Sequence, residues 1–155
     1  MIKKISKIFF IYFFFLANCG YSPIYTGINN TNFELNIVEM YGVRVVNNQI
    51  KSKLNRYSLD GSDEKLDIVI TSKYTKNITA KDTTGAATEY KIVLEVIFKV
   101  DGKEFDEEFT FDESFNLQSM ADKLDEKNYE DNLRNNSINI IIQKLILKLI
   151  RNKWL

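Results

Sequence analysis

The side chains best suited to chemistry in this chain are carboxylates and lysines, because it has no histidine and a single cysteine. Without histidine, a Ser-His triad, a histidine metal site and an imidazole base are all excluded. One cysteine likewise allows neither an internal disulfide nor a cysteine-based zinc site. A pair of carboxylates could still catalyse a reaction. We nevertheless predict no metal site and no catalytic residue, because the sequence shows no constellation of catalytic groups.

The carboxylates include an acidic cluster at Glu104, Asp106, Glu107 and Glu108. Paired carboxylates can perform acid–base chemistry. Asp106 and Glu108, however, fall on the solvent side of a predicted strand, where the pattern indicates no pocket. Charges at such positions protect an edge strand from aggregation. We expect that role for the cluster and predict that the chain is not an enzyme.

Four lysines lie near one end of two predicted strands: Lys73, Lys76, Lys81 and Lys91. Ammonium groups at this end could hold phosphate by charge-assisted hydrogen bonds. The alternative is an ordinary solvated face, because Asp82 and Glu89 interrupt the lysines. The whole chain has 21 basic and 21 acidic residues, which gives no argument for nucleic-acid binding.

The N-terminus combines positive charge with a short apolar run. Lys3, Lys4 and Lys7 precede the apolar residues 8–17, and residues 1–18 contain no acid. This run of ten is shorter than the roughly 20 residues that a membrane-spanning helix needs. A basic start and a short apolar run are typical of a secretory signal peptide, predicted over residues 1–18.

The single cysteine, Cys19, follows Leu16-Ala17-Asn18, and this segment resembles the lipobox of bacterial lipoproteins. The resemblance implies cleavage before Cys19, a diacylglycerol on its thiol and an acyl chain on its new amine. Asn18 stands where Gly, Ala or Ser is usual. The alternative is a buried, inert cysteine at the end of an uncleaved anchor. Residues 19–32 are small and polar and predict a tether.

Apolar residues alternate with polar ones over four segments, residues 33–40, 66–78, 88–100 and 103–117. This period of two predicts a sheet with one dry and one wet face. The Asp101-Gly102 dipeptide predicts a two-residue hairpin. That hairpin would pair Phe98 with Phe105 and would place Glu107 opposite Val96. An odd-numbered loop around residues 81–85 keeps even positions of its two strands facing each other.

Two segments show helical spacing. Val46, Ile50 and Leu54 predict a helix within residues 43–57, and a second helix is predicted from about 128 to 152. Ser119 and Asp122 resemble a capping box before it. Nine of the thirteen residues 138–150 are Ile or Leu, so we expect burial on most sides of this helix. Its apolar surface could cover its own sheet only, or a partner or second copy as well.

The predicted fold is therefore α+β. It is a two-layer sandwich over residues 33–155, with a four-stranded, mostly antiparallel sheet and two helices packed on one face. The pattern leaves open the strand order and whether the first strand runs parallel to its neighbour. Trp154 and Leu155 could form a small extra anchor or a frayed end.

The order of these motifs resembles the LPS-assembly lipoprotein family (LptE, formerly RlpB). Cys19 and the residues after it, Gly-Tyr-Ser-Pro-Ile-Tyr, resemble the Cys-Gly-aromatic-x-Pro-Leu-Tyr start of that family. Residues 71–74 and 85–94 are similar to its second and third strands. The final helix after a polar turn also fits. The resemblance covers essentially the whole chain.

The resemblance implies an outer-membrane lipoprotein that plugs and helps to assemble the LPS-transport β-barrel (LptD-like). It would assist insertion of lipopolysaccharide into the outer leaflet. Gly20, in place of Asp, resembles lipoproteins forwarded to the outer membrane. The only cofactor implied is the covalent lipid on Cys19, including palmitate. The partners implied are the barrel and lipopolysaccharide, whose phosphates the four lysines could contact. The alternative is a lipid-anchored binding module of another envelope secretion or lipid-transport machine.

Overall fold

The computed structural model describes residues 33–103 and 105–152 of the chain. The predictions for residues 1–32, including Cys19, and for Glu104, Trp154 and Leu155 lie outside the described residues. The elements are β1 (Glu34–Gly42), α1 (Arg44–Leu54), a 3-10 turn (Asn55–Tyr57), β2 (Lys65–Lys81), β3 (Ala87–Gly102), β4 (Phe105–Gln118) and α2 (Lys123–Asn152).

The four strands form one mixed sheet in the order β1-β2-β3-β4. β1 runs parallel to β2, with α1 as the crossover, and the other neighbours are antiparallel. Both helices pack on the same face of the sheet, so the predicted α+β two-layer fold is confirmed. Even positions of β2 face even positions of β3, for example Ile68 opposite Val100, as the odd-numbered loop predicts.

The core lies between the sheet and the two helices. It takes alternate residues from the strands and one stripe from each helix, as periods of 2 and 3.6 require. Its fully buried members include Ile68, Ile70, Leu94, Val96, Phe98, Val46, Ile50, Leu54, Ile138, Ile141 and Leu145. Burial of a side chain of this size contributes about 1.5–3 kcal/mol, so this layer is the main source of stability.

The junction between β1 and α1 is tightly packed. Gly42 has φ +93°, and a Cβ at this position would lie 1.8 Å from the Ser72 carbonyl oxygen. Only glycine fits such a conformation and such a close approach. The Val43 amide then donates to the Ser72 hydroxyl at 3.0 Å, and the Asn47 side-chain amide donates to the Tyr41 carbonyl at 2.8 Å. These contacts fix the point at which the chain leaves the sheet.

The predicted register of the β3–β4 hairpin is wrong by four residues. Phe98 lies opposite Phe109, and Gly102 opposite Phe105, so the turn lies after Asp101-Gly102. A shift by an even number keeps every apolar side chain on the same face, and alternation therefore cannot distinguish the two registers. The observed register moves Glu107 from Val96 in the centre of the sheet to Val100 near the hairpin end.

The second helix begins earlier than predicted, and its cap is a different residue. α2 starts at Lys123, and the Asp122 carboxylate accepts hydrogen bonds from the amides of Leu124 at 2.7 Å and Asp125 at 3.4 Å. Asp122 is therefore the N-cap, and the predicted capping box at Ser119 is wrong. The polar sequence before residue 128 hid this turn, because it lacks the apolar spacing used to find helices.

Two predictions of burial are also corrected. Ile140 and Leu147 on α2 are 42 % and 54 % exposed, so this helix buries one side rather than most sides. Ile78, predicted on the dry face, is 52 % exposed because β2 extends there beyond the core. No helix in the described part of the chain combines the length and apolarity needed to cross a membrane.

Candidate binding surfaces

The four candidate lysines do not form one site. Lys73 and Lys91 lie on the face of the sheet that carries no helix, which we call the open face, opposite Glu95 and Asn77 respectively. Lys81 ends β2 beside the turn to β3. Lys76 lies on the other face, toward α2. The structure thus divides the set between the two sides of the sheet.

Lys76 is held by contacts within the chain. Its ammonium lies 2.8 Å from Glu130 Oε2 and 3.8 Å from Glu126 Oε1. It also lies 4.4 Å from the centroid of the Tyr90 ring, within cation–π distance. A phosphate would have to compete with two carboxylates for this group, so Lys76 is poorly placed as a ligand.

The same carboxylate, Glu130, joins β2 to α2 through Tyr74. The Tyr74 hydroxyl donates to Glu130 Oε1 at 2.7 Å, and the Arg134 guanidinium lies 5.9 Å from the Tyr74 ring centroid. Burial, followed by this hydrogen bond, raises the pKa of the Tyr74 phenol. The sequence prediction missed these contacts, although Glu126, Glu130 and Arg134 share one helix side at intervals of four.

Glu126 stabilises the turn that leads into α2. Its Oε2 accepts from the Lys123 ammonium at 2.7 Å, the Met120 amide at 2.9 Å and the Ser119 hydroxyl at 3.3 Å. The hydrogen bond from Lys123, then that from Met120, lowers the pKa of Glu126 to about 2. Glu126 is therefore a structural anion, and it has no proton to exchange near neutral pH.

Asp82 organises the β2–β3 turn beside Lys81. Its Oδ1 accepts from the Thr84 hydroxyl at 2.6 Å, the Thr84 amide at 2.8 Å and the Ala86 amide at 3.0 Å. The bonds from Thr84 hold the pKa of Asp82 below its usual value. Gly85 supplies the positive φ of +87° that this turn needs. These hydrogen bonds hold the tip of the β2–β3 hairpin.

The described part of the acidic cluster lies at the exposed end of the β3–β4 hairpin. Asp106 faces Asp101, and Glu108 faces Lys99, on the open face. Within residues 33–103 and 105–152, no group of three or more acidic side chains is arranged to hold a metal ion. A carboxylate-rich edge strand of this kind resists pairing with other chains.

Charge is distributed unequally between the two sides of the molecule. The open face presents nine carboxylates and four ammonium groups, a net charge of −5: Glu34, Glu39, Asp67, Glu89, Glu95, Asp101, Asp106, Glu108 and Asp112 against Lys65, Lys73, Lys91 and Lys99. The helices and the 3-10 turn carry ten basic and four acidic residues, a net charge of +6. A near-zero total therefore conceals an acidic side and a basic side.

The element order and the mixed sheet place the chain in the class of open-faced α+β two-layer sandwiches. Its fold is similar to that of rare lipoprotein B from Shewanella oneidensis, with TM-score 0.54 and 12 % identity over 77 % of this chain and 98 % of that chain. It is also similar to a minor lipoprotein from Acinetobacter baumannii, with TM-score 0.51 and 18 % identity over 79 % of this chain and 95 % of that one. The fold expected from the family resemblance is thereby confirmed.

No protein-family model matches the chain, and no curated protein sequence matches it either. Comparison of structures therefore finds similar folds, although the sequence identities to the two lipoproteins are only 12 % and 18 %.

Proposed function

We propose that this chain is an outer-membrane lipoprotein of the LptE type. In this role it plugs the LPS-transport β-barrel, helps the barrel to assemble, and assists insertion of lipopolysaccharide into the outer leaflet. The observation that carries the proposal is the combination of a rare-lipoprotein-B fold with a lipobox-like cysteine in the correct order along the chain. Neither the fold alone nor the cysteine motif alone would be specific for this function.

The lipid anchor supports a location at the membrane. Acylation of Cys19 would attach several chains, and each buried methylene contributes about 0.8 kcal/mol. Two or more chains give stable attachment where one does not. No other chemistry is assigned to the thiol, so the proposal includes no catalytic step and no cofactor besides the covalent lipid.

The distribution of charge supports a plug between two different surroundings. The open face has a net charge of −5 and favours a basic protein surface, whereas phosphates would be repelled there. Lys73 and Lys91 lie on that acidic face, so they are weaker candidates for lipopolysaccharide than their lysine chemistry suggests. Their contact with lipopolysaccharide remains a prediction, as does that of Lys76 and Lys81.

The experiment that tests this function is affinity purification of the tagged, full-length chain from gently solubilised envelopes, followed by mass spectrometry. We expect one large β-barrel in near-equal amount and acyl chains on Cys19. A Cys19→Ala variant is the matched control, because it should lose the lipid while the described domain stays unchanged.

The outcomes separate the alternatives. An acylated chain without a barrel would overturn the plug role and favour a lipid-anchored module of another envelope machine. An unmodified Cys19 would overturn the anchor. Barrel recovery with both the wild-type chain and Cys19→Ala would show that the fold, rather than the lipid, recognises the barrel.

A further inference from the structure

The side chains of the open face form rows that cross the strands, and one row carries no charge. Tyr41 on β1 lies opposite Thr71 on β2, which lies opposite Ile97 on β3, and Ile97 lies opposite Thr110 on β4. Tyr41 is 54 % exposed, the two threonines are exposed, and Ile97 is half-buried. We call these four residues the neutral row. It gives the open face a strip without charge, with an aromatic side chain at one end.

Carboxylates lie directly opposite one another in the rows on either side. On one side of the neutral row Glu95 faces Asp112, and further along on the other side Asp67 faces Asp101, which faces Asp106. Like charges directly opposite each other on neighbouring strands destabilise a sheet. The domain by itself therefore carries an unfavourable arrangement of charge on this face.

These five carboxylates lack cationic partners within the described part of the chain. None of them takes part in an ion pair there, and the Lys73 ammonium, although opposite Glu95 in the register, does not pair with it. On the side of the molecule that carries the helices, by contrast, Glu113 pairs with Lys144. The carboxylates of the open face are thus available to cations from outside the described domain.

The open face is broad enough for a protein surface. Its residues on β3 between Lys91 and Asp101 extend over about 33 Å at 3.3 Å per residue, and three or four strands span about 14–19 Å. The area in projection is about 500–600 Å², which approaches the roughly 800 Å² that each partner contributes to a standard interface. The carboxylates are spread over this whole area, so they do not converge on a single ion.

We infer that the open face docks on the inner wall of the LPS-transport barrel, on a stretch that is neutral at its centre and rich in Lys and Arg around it. Stable interfaces have an uncharged centre, in which tyrosine is enriched, and a polar rim. The neutral row supplies the centre, and the unpaired carboxylates supply a rim complementary to basic side chains. The inference rests on the proposed function and adds which side of the plug contacts the wall.

The helical layer supports a single orientation in the lumen. The helices and the 3-10 turn have a net charge of +6, and neither α1 nor residues 137–152 of α2 contain Asp or Glu. The basic stretch of wall that attracts the open face would repel this layer. The domain therefore docks with its sheet toward that stretch and its helices away from it.

Neutralised carboxylates test the rim. Glu95→Gln with Asp112→Asn removes two opposed charges of the open face, and Asp63→Asn with Asp125→Asn is the matched control, because it removes two exposed carboxylates elsewhere. Each double variant is expressed beside the wild-type chain under a different tag, and both chains are quantified in the purified barrel complex. We expect the open-face variant to be depleted about fivefold or more and the control to match the wild type.

Stability should change in the opposite direction. Because Glu95 and Asp112 repel each other in the domain alone, their neutralisation should raise the melting temperature of the detergent-solubilised chain without barrel by about 1–4 °C. The Asp63→Asn and Asp125→Asn control should not raise it. A variant that is more stable yet enters the barrel less cannot be explained by damage to the fold.

Thr110→Cys tests the neutral row. Acylation blocks the Cys19 thiol, so the new cysteine is the only free thiol of the mature chain. A water-soluble maleimide should label it readily in the acylated chain purified without barrel, and about tenfold more slowly or less in the barrel complex. Shielding already present without the barrel would overturn the inference, because another part of this chain or a second copy would then cover the open face.

The outcomes separate the inference from the proposed function. If the wild-type chain recovers no barrel, the proposed function is overturned and the inference with it. If the barrel is recovered equally with the wild type and the open-face variant, only the inference is overturned. Loss of stability together with loss of barrel in the open-face variant, or equal labelling of Thr110→Cys with and without barrel, would overturn it as well.

Discussion

The Tyr74 hydroxyl donates a hydrogen bond to Glu130 Oε1 at 2.7 Å and so joins the middle of β2 to the first half of α2. The first half of α2 buries little apolar surface, in contrast to residues 138–149. Its position on the sheet therefore depends on polar contacts, of which this is the most buried. Because burial and the hydrogen bond raise the pKa of Tyr74, the contact persists as pH rises through the usual range of tyrosine ionisation.

We expect Tyr74→Phe and Glu130→Ala to destabilise the fold cooperatively. A hydrogen bond to a charged group contributes on the order of 1–2 kcal/mol when it is partly buried. A double-mutant cycle, measured by chemical denaturation of the detergent-solubilised chain, should give a coupling free energy of about 1 kcal/mol between the two residues. The loss of the Lys76–Glu130 ion pair occurs in both variants that carry Glu130→Ala, so it cancels from this coupling free energy. Additive effects would show that the contact contributes nothing.

Gly42→Ala should be much more damaging than Gly61→Ala. Both glycines have positive φ, +93° and +78°, so the backbone strain of an alanine is similar at the two positions. At Gly42, however, the new Cβ would lie 1.8 Å from the Ser72 carbonyl oxygen, and at Gly61 nothing lies within 4 Å. We expect a loss of about 1 kcal/mol at Gly61 and of more than about 3 kcal/mol at Gly42. Thermal unfolding measures both, and equal losses would mean that β1 and β2 separate easily.

The fold class was predictable because its signals are local. Alternation in β2 and β3 and the spacing of Val46, Ile50 and Leu54 each report which side of an element is buried. The contacts that hold α2 were not predictable. Tyr74 and Lys76 on β2 are far along the chain from Glu126 and Glu130 on α2, and only the packed structure brings the two pairs together. The division of the candidate lysines between two faces follows from strand parity. It places Lys76 on the face that carries the helices, and Lys73 and Lys91 on the open face.

Stability should fall in acid because of Glu126. The Lys123 ammonium, followed by the Met120 amide, lowers the pKa of Glu126 from 4.5 to about 2 in the folded state. A carboxyl group whose pKa is lower in the folded state than in the unfolded chain stabilises the folded state at pH values above its unfolded pKa. This contribution is therefore complete above about pH 4.5 and is lost as the pH falls toward 2. Glu126→Gln should flatten the dependence of the melting temperature on pH in this window.

Asp125→Asn is the matched control for Glu126→Gln, because it removes a neighbouring carboxylate that is exposed on the first turn of α2. This variant should show the same dependence of the melting temperature on pH as the wild-type chain. Identical pH profiles for Glu126→Gln and the wild-type chain would contradict the role of Glu126 as a structural anion.

The observed and the expected registers of the β3–β4 hairpin place the same side chains on the apolar face. Pairs of cysteines can distinguish the two registers chemically. In the structure Glu95 lies opposite Asp112, whereas the two-residue turn expected from Asp101-Gly102 would place it opposite Glu108. Directly opposed residues have Cα atoms about 4.5–5.5 Å apart, within disulfide range. Glu95→Cys with Asp112→Cys should therefore oxidise to an intramolecular disulfide. Glu95→Cys with Glu108→Cys removes the same charges but displaces the partner by four residues, about 13 Å along the strand, and should stay reduced. The opposite result would favour the turn at Asp101-Gly102.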